Sequence, residues 1–470
     1  MKTVIMWFRN DLRINDNPAL MAAINDADYV IPIFIINDSI FSGIHASPNR
    51  NQFLVESLTD LNDSLNKISG GLVVLEGKTI ELLKDLCKKY DVHSIYYAKD
   101  FSPYATKRDG AVDKEMTNIG VTTKIFPGRL VLPNIKDIKT QTGNIYQVFT
   151  PFYNQWLKTE RRKVLESPKK INLPKNIDFG IKIEDIKIDK KKLSLNLVKG
   201  GETKALEILD KFLKINIQDY IKAHNDPSAN KTSHLSPYLH FGCISPSYIE
   251  SCLGASESEL AWQRQLCWRD FYNYILANFP GNNKHEFQNK YRNIQWVSDE
   301  TSLNAWKEGK TGYPIVDAAM RQLNTEGWMH NRSRLIVGSF LTKDLFIDWR
   351  EGEKYFMEKL VDGDMANNNG NWQWIASVGT DPAPVARRIF NPSLQRQKFD
   401  PSGLYIRKYV PELKNVPLEF IDNPSLMSEE LQREYNCIVG KDYPRPIVDH
   451  AVARIKALDN FKKSIALSNY

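Results

Sequence analysis

The sequence predicts an α/β N-terminal domain with a Rossmann-like parallel sheet, followed by an all-α C-terminal domain. Residues 1–130 alternate short apolar runs with amphipathic helical patterns, whereas residues 201–470 have helical patterns and no strand signal of comparable strength. The chain of 470 residues is also too long for one core, since domains contain roughly 150 residues. Residues 131–200 are predicted to form an interdomain connector.

Five apolar runs in the N-terminal part have the length and composition of buried strands. They are TVIMWF (3–8), YVIPIFII (29–36), GLVVLEG (71–77), SIYYA (94–98) and TTKIF (122–126). Helical patterns lie between them at 49–68, 79–90 and 108–119. Strands that alternate with helices form parallel sheets covered on both faces. No GxGxxG follows the first run, so the usual dinucleotide fingerprint is absent.

The connector is distinguished by its composition. From about residue 155 to 200 the chain is rich in lysine, is interrupted by prolines and has little amphipathic period. Such a stretch is typical of a long connection that crosses the surface of a protein. Downstream of it, LAWQRQLCWRDFYNYILANF (260–279) and PIVDAAMRQLNTEG (314–327) are examples of the helical periodicity that predicts the second domain.

Composition limits the class of protein. Apolar content of 42% and charged content of 25% are those of a globular protein, and a net charge of +7 permits a polyanionic partner. No apolar run approaches the roughly 20 residues of a membrane span, and no signal peptide is predicted. The five cysteines are scattered without CxxC spacing, which argues against a disulfide framework or a metal site. An intracellular location is predicted.

One short segment concentrates polar and indole side chains, DGDMANNNGNWQW (362–374). On a helix, Asp364, Asn368 and Trp372 share one face. Trp372 and Trp374 are two residues apart and therefore serve different neighbours. A capped helix start with two core tryptophans is the ordinary interpretation, and a ligand-binding wall is the alternative.

Two further segments allow either a structural or a binding role. KTSHLSPYLHFG (231–242) places Thr232, Ser233 and Ser236 at a predicted helix start. Hydroxyls and free N–H groups there suit a phosphate, and equally suit a simple N-cap. WQRQLCWRDFYNY (262–274) interleaves aromatic residues with arginine. Its pattern is predicted to put Trp262, Gln265 and Arg269 on one face and Trp268, Phe271 and Tyr272 on another. Such a stripe is typical of a core, or of base stacking.

Taken together, several long motifs in order resemble the photolyase/cryptochrome family, closest to class I cyclobutane pyrimidine dimer photolyases. In addition to the segments above they are WFRNDLRINDNPAL (7–20), EGKTGYPIVDAAMRQLNTEGWMHNRSR (308–334), FLTKDLFIDWREGEKYF (340–356) and RIFNPSLQRQKFDPSGLYIR (388–407). The resemblance extends from about residue 3 to about residue 450. It implies an α/β antenna domain and a helical domain that binds FAD, the reduced form being active.

The resemblance implies a set of cofactor-binding residues in the helical domain. They are Tyr220, Thr232, Ser233, His234, Leu235, Ser236, Trp262, Gln265, Asn331, Arg334, Asp362, Gly363, Asp364 and Asn368. Arg334 and Asp362 would form an ion pair beside the isoalloxazine. Asn368 would lie beside flavin N5, where an amide can hydrogen-bond a reduced, anionic flavin without adding charge.

The resemblance also implies roles for tryptophans. Trp372, Trp349 and Trp296 match the electron relay of the family, although core packing is the ordinary role of each. Trp268 and Trp374 match the indoles that flank a pyrimidine dimer flipped out of DNA. The residues implied in DNA binding are His224, Gln265, Trp268, Arg332, Leu335, Trp374, Arg388 and Gln395.

This sequence departs from the family pattern at several positions. Gln265 stands where dimer photolyases usually have Glu, and Leu335 where they usually have Met. His45 and Lys284 resemble contacts to a folate antenna, whereas DFSPYATKRD (100–109) is similar to deazaflavin-binding relatives. A second chromophore would thus be deazaflavin or methenyltetrahydrofolate, and the sequence leaves this open.

Two functions follow from the resemblance. The first is light-dependent repair of cyclobutane pyrimidine dimers by electron transfer from photoexcited reduced FAD, catalysed by a carbon–carbon lyase. The alternative is a cryptochrome-type blue-light photoreceptor with little or no repair activity. The expected partner of the first is UV-damaged DNA. The protein is expected to be monomeric, with no membrane partner, and in a bacterium or archaeon it would be cytoplasmic and associated with the nucleoid.

Overall fold

A five-stranded parallel sheet forms the centre of the N-terminal part in the computed structural model, which describes residues 1–37, 41, 43 and 46–467. The strands are β1 (Thr3–Phe8), β2 (Tyr29–Ile36), β3 (Val73–Glu76), β4 (Val92–Ala98) and β5 (Thr122–Phe126). Their order is β3-β2-β1-β4-β5, and all neighbouring pairs are parallel. The predicted strands and the predicted parallel sheet are confirmed.

Helices cover both faces of this sheet because its central strand is apolar on both sides. They are α1 (Pro18–Asp26), α2 (Pro48–Lys67), α3 (Thr79–Lys89) and α4 (Pro103–Thr117). Ile5 of β1 shares a core with α3 and α4, whereas Val4 shares a core with α1 and α2. Helix α1 was not predicted from the sequence. Its start is fixed by Asn17, whose side chain accepts a hydrogen bond from the Leu20 N–H at 3.1 Å.

The connector is more ordered than its composition indicates. It contains helix α5 (Phe149–Lys158), and its later part runs beside the edge strand β3. The N–H of Val74 donates to the carbonyl of Phe179 at 3.0 Å, and the N–H of Ile181 donates to the carbonyl of Val74 at 2.9 Å. These bonds cover an edge that would otherwise present unpaired backbone groups.

The C-terminal part is helical, as predicted. Its α-helices are α6 (Glu202–Lys211), α7 (Tyr220–Ala223), α8 (Ser236–Phe241), α9 (Pro246–Ser251), α10 (Glu257–Asn278), α11 (Glu300–Glu308), α12 (Pro314–Glu326), α13 (Asn331–Ser339), α14 (Trp349–Lys359), α15 (Met365–Ala376), α16 (Pro392–Phe399), α17 (Leu404–Tyr409), α18 (Glu429–Glu434) and α19 (His450–Leu467). Within the described ranges, none of the helices is both long and apolar enough to cross a membrane.

The two parts share a continuous core, which positions the site described below. The ring of Phe53 in α2 lies 5.1 Å from Tyr238 and 5.0 Å from Phe241, both in α8. Arg50, also in α2, donates from Nη1 to the Leu360 carbonyl at 2.9 Å. Leu360 follows α14 and precedes the Asp362–Asp364 loop, so a side chain of the N-terminal part holds this loop in place.

Candidate active site

A cavity of about 540 Å³ opens among α10, α13, α14, α15 and the loop that precedes α8. This volume lies within the range of cofactor pockets in proteins. Every residue that the sequence implied for cofactor binding contributes to its lining, from Tyr220 to Asn368. Six of the residues implied for DNA binding also line it: His224, Gln265, Trp268, Arg332, Leu335 and Trp374.

Helix α15 supplies one wall, and it begins as the capped-helix interpretation predicts. The carboxylate of Asp364 is the N-cap and accepts a hydrogen bond from the Asn367 N–H at 2.9 Å. One and two turns later, Asn368 and Trp372 line the cavity from the same face. The predicted helix cap is thus confirmed, and the same carboxylate also lines the cavity, whereas a binding role of this segment stays a prediction.

The predicted ion pair beside the cavity is confirmed. Arg334 donates from Nη2 to Oδ2 of Asp362 at 2.8 Å. The other carboxylate oxygen of Asp362 is buried and has no hydrogen-bond partner among the described residues. A buried oxygen of this kind normally has a partner, which makes it a candidate acceptor for a ligand.

Asp364 is held in its ionised form. Burial acts to raise the pKa of this carboxyl, but His240 together with the charges of Arg129 and Arg269 holds the pKa well below its usual range. Nδ1 of His240 lies 3.7 Å and Nη2 of Arg129 lies 3.6 Å from Asp364 Oδ2. Arg129 precedes the helical domain in sequence, and nothing in its local pattern indicated this contact.

The polar end of the cavity comes from the loop before α8. Helix α8 begins at Ser236, so Thr232 and Ser233 precede it in the loop and do not form its first turn, a correction to the sequence prediction. The hydroxyl of Thr232 is buried without a hydrogen-bond partner among the described residues. The Ser236 hydroxyl accepts a hydrogen bond from Trp328 Nε1 at 3.2 Å.

Helix α10 supplies a broader wall than its sequence pattern predicted. Trp268 and Tyr272 line the same cavity as Trp262, Gln265 and Arg269, so the predicted division into two faces is wrong in this respect. Residues three or four apart are neighbours on a helix surface, and Gln265 is therefore next to Trp268. The side chain of Gln265 is exposed and donates to the Ala261 carbonyl at 3.3 Å.

Two of the indoles that line the cavity also pack against side chains that do not line it. Trp268 stacks on Phe149 of α5, with ring centroids 3.6 Å apart and planes 3° from parallel. Trp374 lies against the guanidinium of Arg388, whose Cζ is 4.1 Å from the ring centroid. Its Nε1 donates to Oδ2 of Asp381 at 3.0 Å. Both indoles have one ring face toward a support and contribute to the cavity lining.

The three predicted relay tryptophans occupy different depths. Trp372 lines the cavity, Trp349 is fully buried and donates from Nε1 to Glu286 Oε1 at 3.3 Å, and Trp296 is partly exposed. Trp296 packs against Phe346, at 5.0 Å between ring centroids. Trp306 was not predicted, yet its ring lies 6.2 Å from that of Trp372.

The predicted DNA contacts are only partly brought together. Arg332 at the cavity donates from Nη2 to Asn225 Oδ1 at 2.7 Å, a partner that the sequence did not indicate. Gln395 in α16 is partly buried and lies outside the cavity lining. Arg388 also lies outside the lining and is only 2% exposed. This burial leaves the guanidinium little access to a DNA phosphate, and the DNA contact implied for Arg388 stays a prediction.

Of the two predicted antenna contacts, only Lys284 lies among the described residues. Lys284 is exposed and follows the short turn Pro280–Asn283, where its carbonyl accepts a hydrogen bond from Arg350 Nε at 3.3 Å. His45 lies outside the described residues. Among the residues that are described, no group of three or more His, Cys, Asp or Glu side chains is arranged to hold a metal ion.

The fold and the cavity define a two-domain cofactor-binding protein. A family model described as "DNA photolyase" matches residues 4–171, and one described as "FAD binding domain of DNA photolyase" matches residues 262–463. A deoxyribodipyrimidine photo-lyase of Streptomyces griseus is 36% identical, with 97% of this chain and 98% of the relative covered. The chain therefore belongs to the DNA photolyase family and carries its FAD-binding domain.

Solved structures agree with this assignment. A bacterial class III photolyase from Agrobacterium tumefaciens matches with a TM-score of 0.92 and 35% identity, covering 99% of this chain and 98% of that one. A Synechocystis cryptochrome matches with a TM-score of 0.86 and 30% identity, covering 98% of this chain and 99% of that one. Both a photolyase and a cryptochrome thus share this architecture.

Proposed function

We propose that the protein is a light-dependent lyase that splits cyclobutane pyrimidine dimers in DNA. The observation that carries this proposal is the pair of supported indoles, Trp268 and Trp374, in the same cavity as the Arg334–Asp362 ion pair. Two aromatic walls suit a ligand that is extruded from a base stack. The activity is also the one in the name of the Streptomyces relative.

The residues of the cavity fit FAD. The hydroxyl of Thr232 and Oδ1 of Asp362 are both buried in the wall without partners among the described residues, so each can bond a ligand that carries many polar groups. Thr232, Ser233 and Ser236 would hold the phosphate and ribityl region. Reduced FAD, when bound, supplies the light absorption and the electron that opens the dimer.

Side chains of α13 and α15 would set the electrostatics at the ring end of the cofactor. Arg334 and Asp362 offset one another, so the pair adds directional hydrogen bonds without net charge. The side chain of Asn368 donates from Nδ2 to the Glu353 carbonyl at 2.9 Å, which fixes its amide at the cavity wall. A fixed, uncharged amide offers a hydrogen bond without favouring protonation of its partner.

Tryptophans would conduct electrons between the surface and the cavity. Trp296 is partly exposed, Trp349 is fully buried and Trp372 lines the cavity, an order of depth that suits a relay. Nε1 of Trp372 has no hydrogen-bond partner among the described residues. Loss of an electron from this indole would therefore depend on its apolar surroundings and not on a fixed acceptor.

The lesion would leave the duplex and lie against Trp268 and Trp374, with the amide of Gln265 at the edge of the cavity. A cyclobutane dimer pairs poorly, so its extrusion costs less than that of an intact base. Arg332 at the cavity would contact DNA, and contacts of this kind make binding sensitive to salt. We expect the protein to act as a monomer on DNA inside the cell.

A repair assay separates this proposal from the photoreceptor alternative, which the Synechocystis neighbour keeps open. Protein that carries stoichiometric reduced FAD is mixed with dimer-containing oligonucleotide and illuminated with blue light, with a dark sample as control. Loss of dimers in the light only is the expected result. Unchanged dimers, in a sample that binds the oligonucleotide, would identify a photoreceptor instead. The variant Trp268→Ala should bind FAD normally and lose most dimer binding.

A further inference from the structure

The two indoles that face the proposed lesion site have chemically different supports. Trp268 rests on Phe149, an apolar ring stacked at 3.6 Å. Trp374 rests on Arg388, a cation whose Cζ lies 4.1 Å from the ring centroid. Arg388 is 2% exposed, although an arginine is rarely buried to this degree unless a partner compensates its charge.

Asp381 is that partner, and it contacts both side chains. It forms an ion pair with Nη2 of Arg388 and accepts the Nε1 hydrogen bond of Trp374 at 3.0 Å. The Ala383 N–H donates to the other carboxylate oxygen at 2.8 Å, which orients the carboxylate. The carbonyl of Arg388 accepts a hydrogen bond from Ser339 Oγ at 2.9 Å, so the backbone of Arg388 is anchored to the end of α13.

These contacts restrain Trp374 from two directions at once. The guanidinium covers one ring face, and the carboxylate fixes the N–H edge. The indole also contributes to the cavity lining, whereas Arg388 does not line the cavity. A planar guanidinium on an aromatic face and an N–H bond to a carboxylate are both directional, so together they define one ring orientation.

From this geometry we infer that Arg388 is a positioning residue for dimer recognition and makes no contact with DNA phosphates. With Asp381 it fixes the indole of Trp374 as one wall of the lesion site. This role rests on the proposed function, because it assumes that Trp374 contacts the dimer. The exposed Arg387, one residue earlier on the same turn, is the arginine of this segment that is free to approach a phosphate from solvent.

The two roles predict different salt dependence. Each phosphate contact contributes about 0.9 to the slope of log affinity against log salt for duplex DNA. Loss of a phosphate contact therefore lowers this slope on any DNA, damaged or not. Loss of a positioning residue leaves the slope unchanged and weakens only the preference for dimer-containing DNA, here by about tenfold for a desolvated cation–π support.

The test is DNA binding in the dark, measured over a salt series with undamaged and dimer-containing duplexes of the same sequence. FAD-loaded wild type, Arg388→Ala and the neighbouring control Arg387→Ala are compared. We expect Arg388→Ala to keep the wild-type slope and to lose about tenfold in dimer preference. Arg387→Ala should keep the preference and lose slope.

A reduced slope with unchanged dimer preference in Arg388→Ala would overturn the inference. If Arg388→Ala does not fold, Arg388→Met replaces it, because methionine fills the space under the indole without the charge. Absence of dimer preference in the wild type would count against the proposed function itself. The slope on undamaged DNA would still decide whether Arg388 contacts phosphates, so the two failures are distinguishable.

Discussion

Replacing Gly352 by alanine should force apart the two helices that carry Trp349 and Trp372. Gly352 lies in α14 against the indole of Trp372 in α15, and an added Cβ would clash most closely with Cη2 of that ring and stand 2.5 Å from Cζ3 and 2.6 Å from Cζ2. Ordinary contacts begin at 3.4 Å, so the helices must separate, or the indole must turn, by roughly 1 Å. Overpacking of this kind costs about 1–3 kcal/mol.

The matched control is Gly110→Ala in α4, where an added Cβ meets nothing within 4 Å. Alanine is favoured over glycine inside an exposed helix by about 0.5–1 kcal/mol, so this variant should be slightly more stable than the wild type. Urea denaturation followed by circular dichroism measures both variants, with tryptophan fluorescence to follow the C-terminal part. Equal stability of Gly352→Ala and Gly110→Ala would refute the close packing of α14 on Trp372.

Three further predictions concern the cavity and its surroundings. Asp362→Asn leaves Arg334 without its ionic partner and should lower the affinity for FAD by about tenfold. The flavin that stays bound after dilution and filtration measures this loss, and full retention would contradict the role of the ion pair. Burial raises the pKa of Glu353 to about 7 in the folded protein. The protonated carboxyl therefore stabilises the folded state fully below the unfolded pKa of 4.5, and this contribution is lost as the pH rises toward 7. In Glu353→Gln the unfolding midpoint should therefore fall less between pH 4.5 and 7 than it does in the wild type. A pH profile equal to that of the wild type would argue against the burial of Glu353. Trp268→Ala should weaken binding to dimer-containing DNA far more than binding to undamaged DNA in filter binding, whereas equal losses would remove this indole from the lesion site.

Much of the fold was predictable because its elements have strong local patterns. All five strands are short apolar runs bounded by polar residues, and α2 has a long amphipathic period. Helix α1 was missed because nine residues give too little periodicity, and only the Asn17–Pro18 start signal marks it. The connector was predicted from composition alone, which indicates surface exposure but not the bonds to the edge of β3.

In the candidate site, too, residues that belong to a local pattern were predicted and residues that act across segments were missed. Asp364, Asn368 and Trp372 were placed together by helical spacing, a local property that the structure confirms. Asn225 and Asp381 were missed, because each acts on a side chain of another segment and polar loop residues give no sign of their partners. The burial of Arg388 was equally invisible, since an arginine has the same local pattern whether it faces DNA or supports an indole.

Repair of dimers in this cavity can be followed on the substrate itself. Splitting a cyclobutane ring restores the pyrimidine double bonds, so a dimer-containing oligothymidylate regains ultraviolet absorbance as repair proceeds. With wild-type protein that carries reduced FAD, we expect the absorbance to rise under blue light and to stay constant in the dark. We also expect Trp268→Ala to lose this rise. Constant absorbance under blue light, with flavin and oligonucleotide both bound, would show that this cavity does not repair dimers.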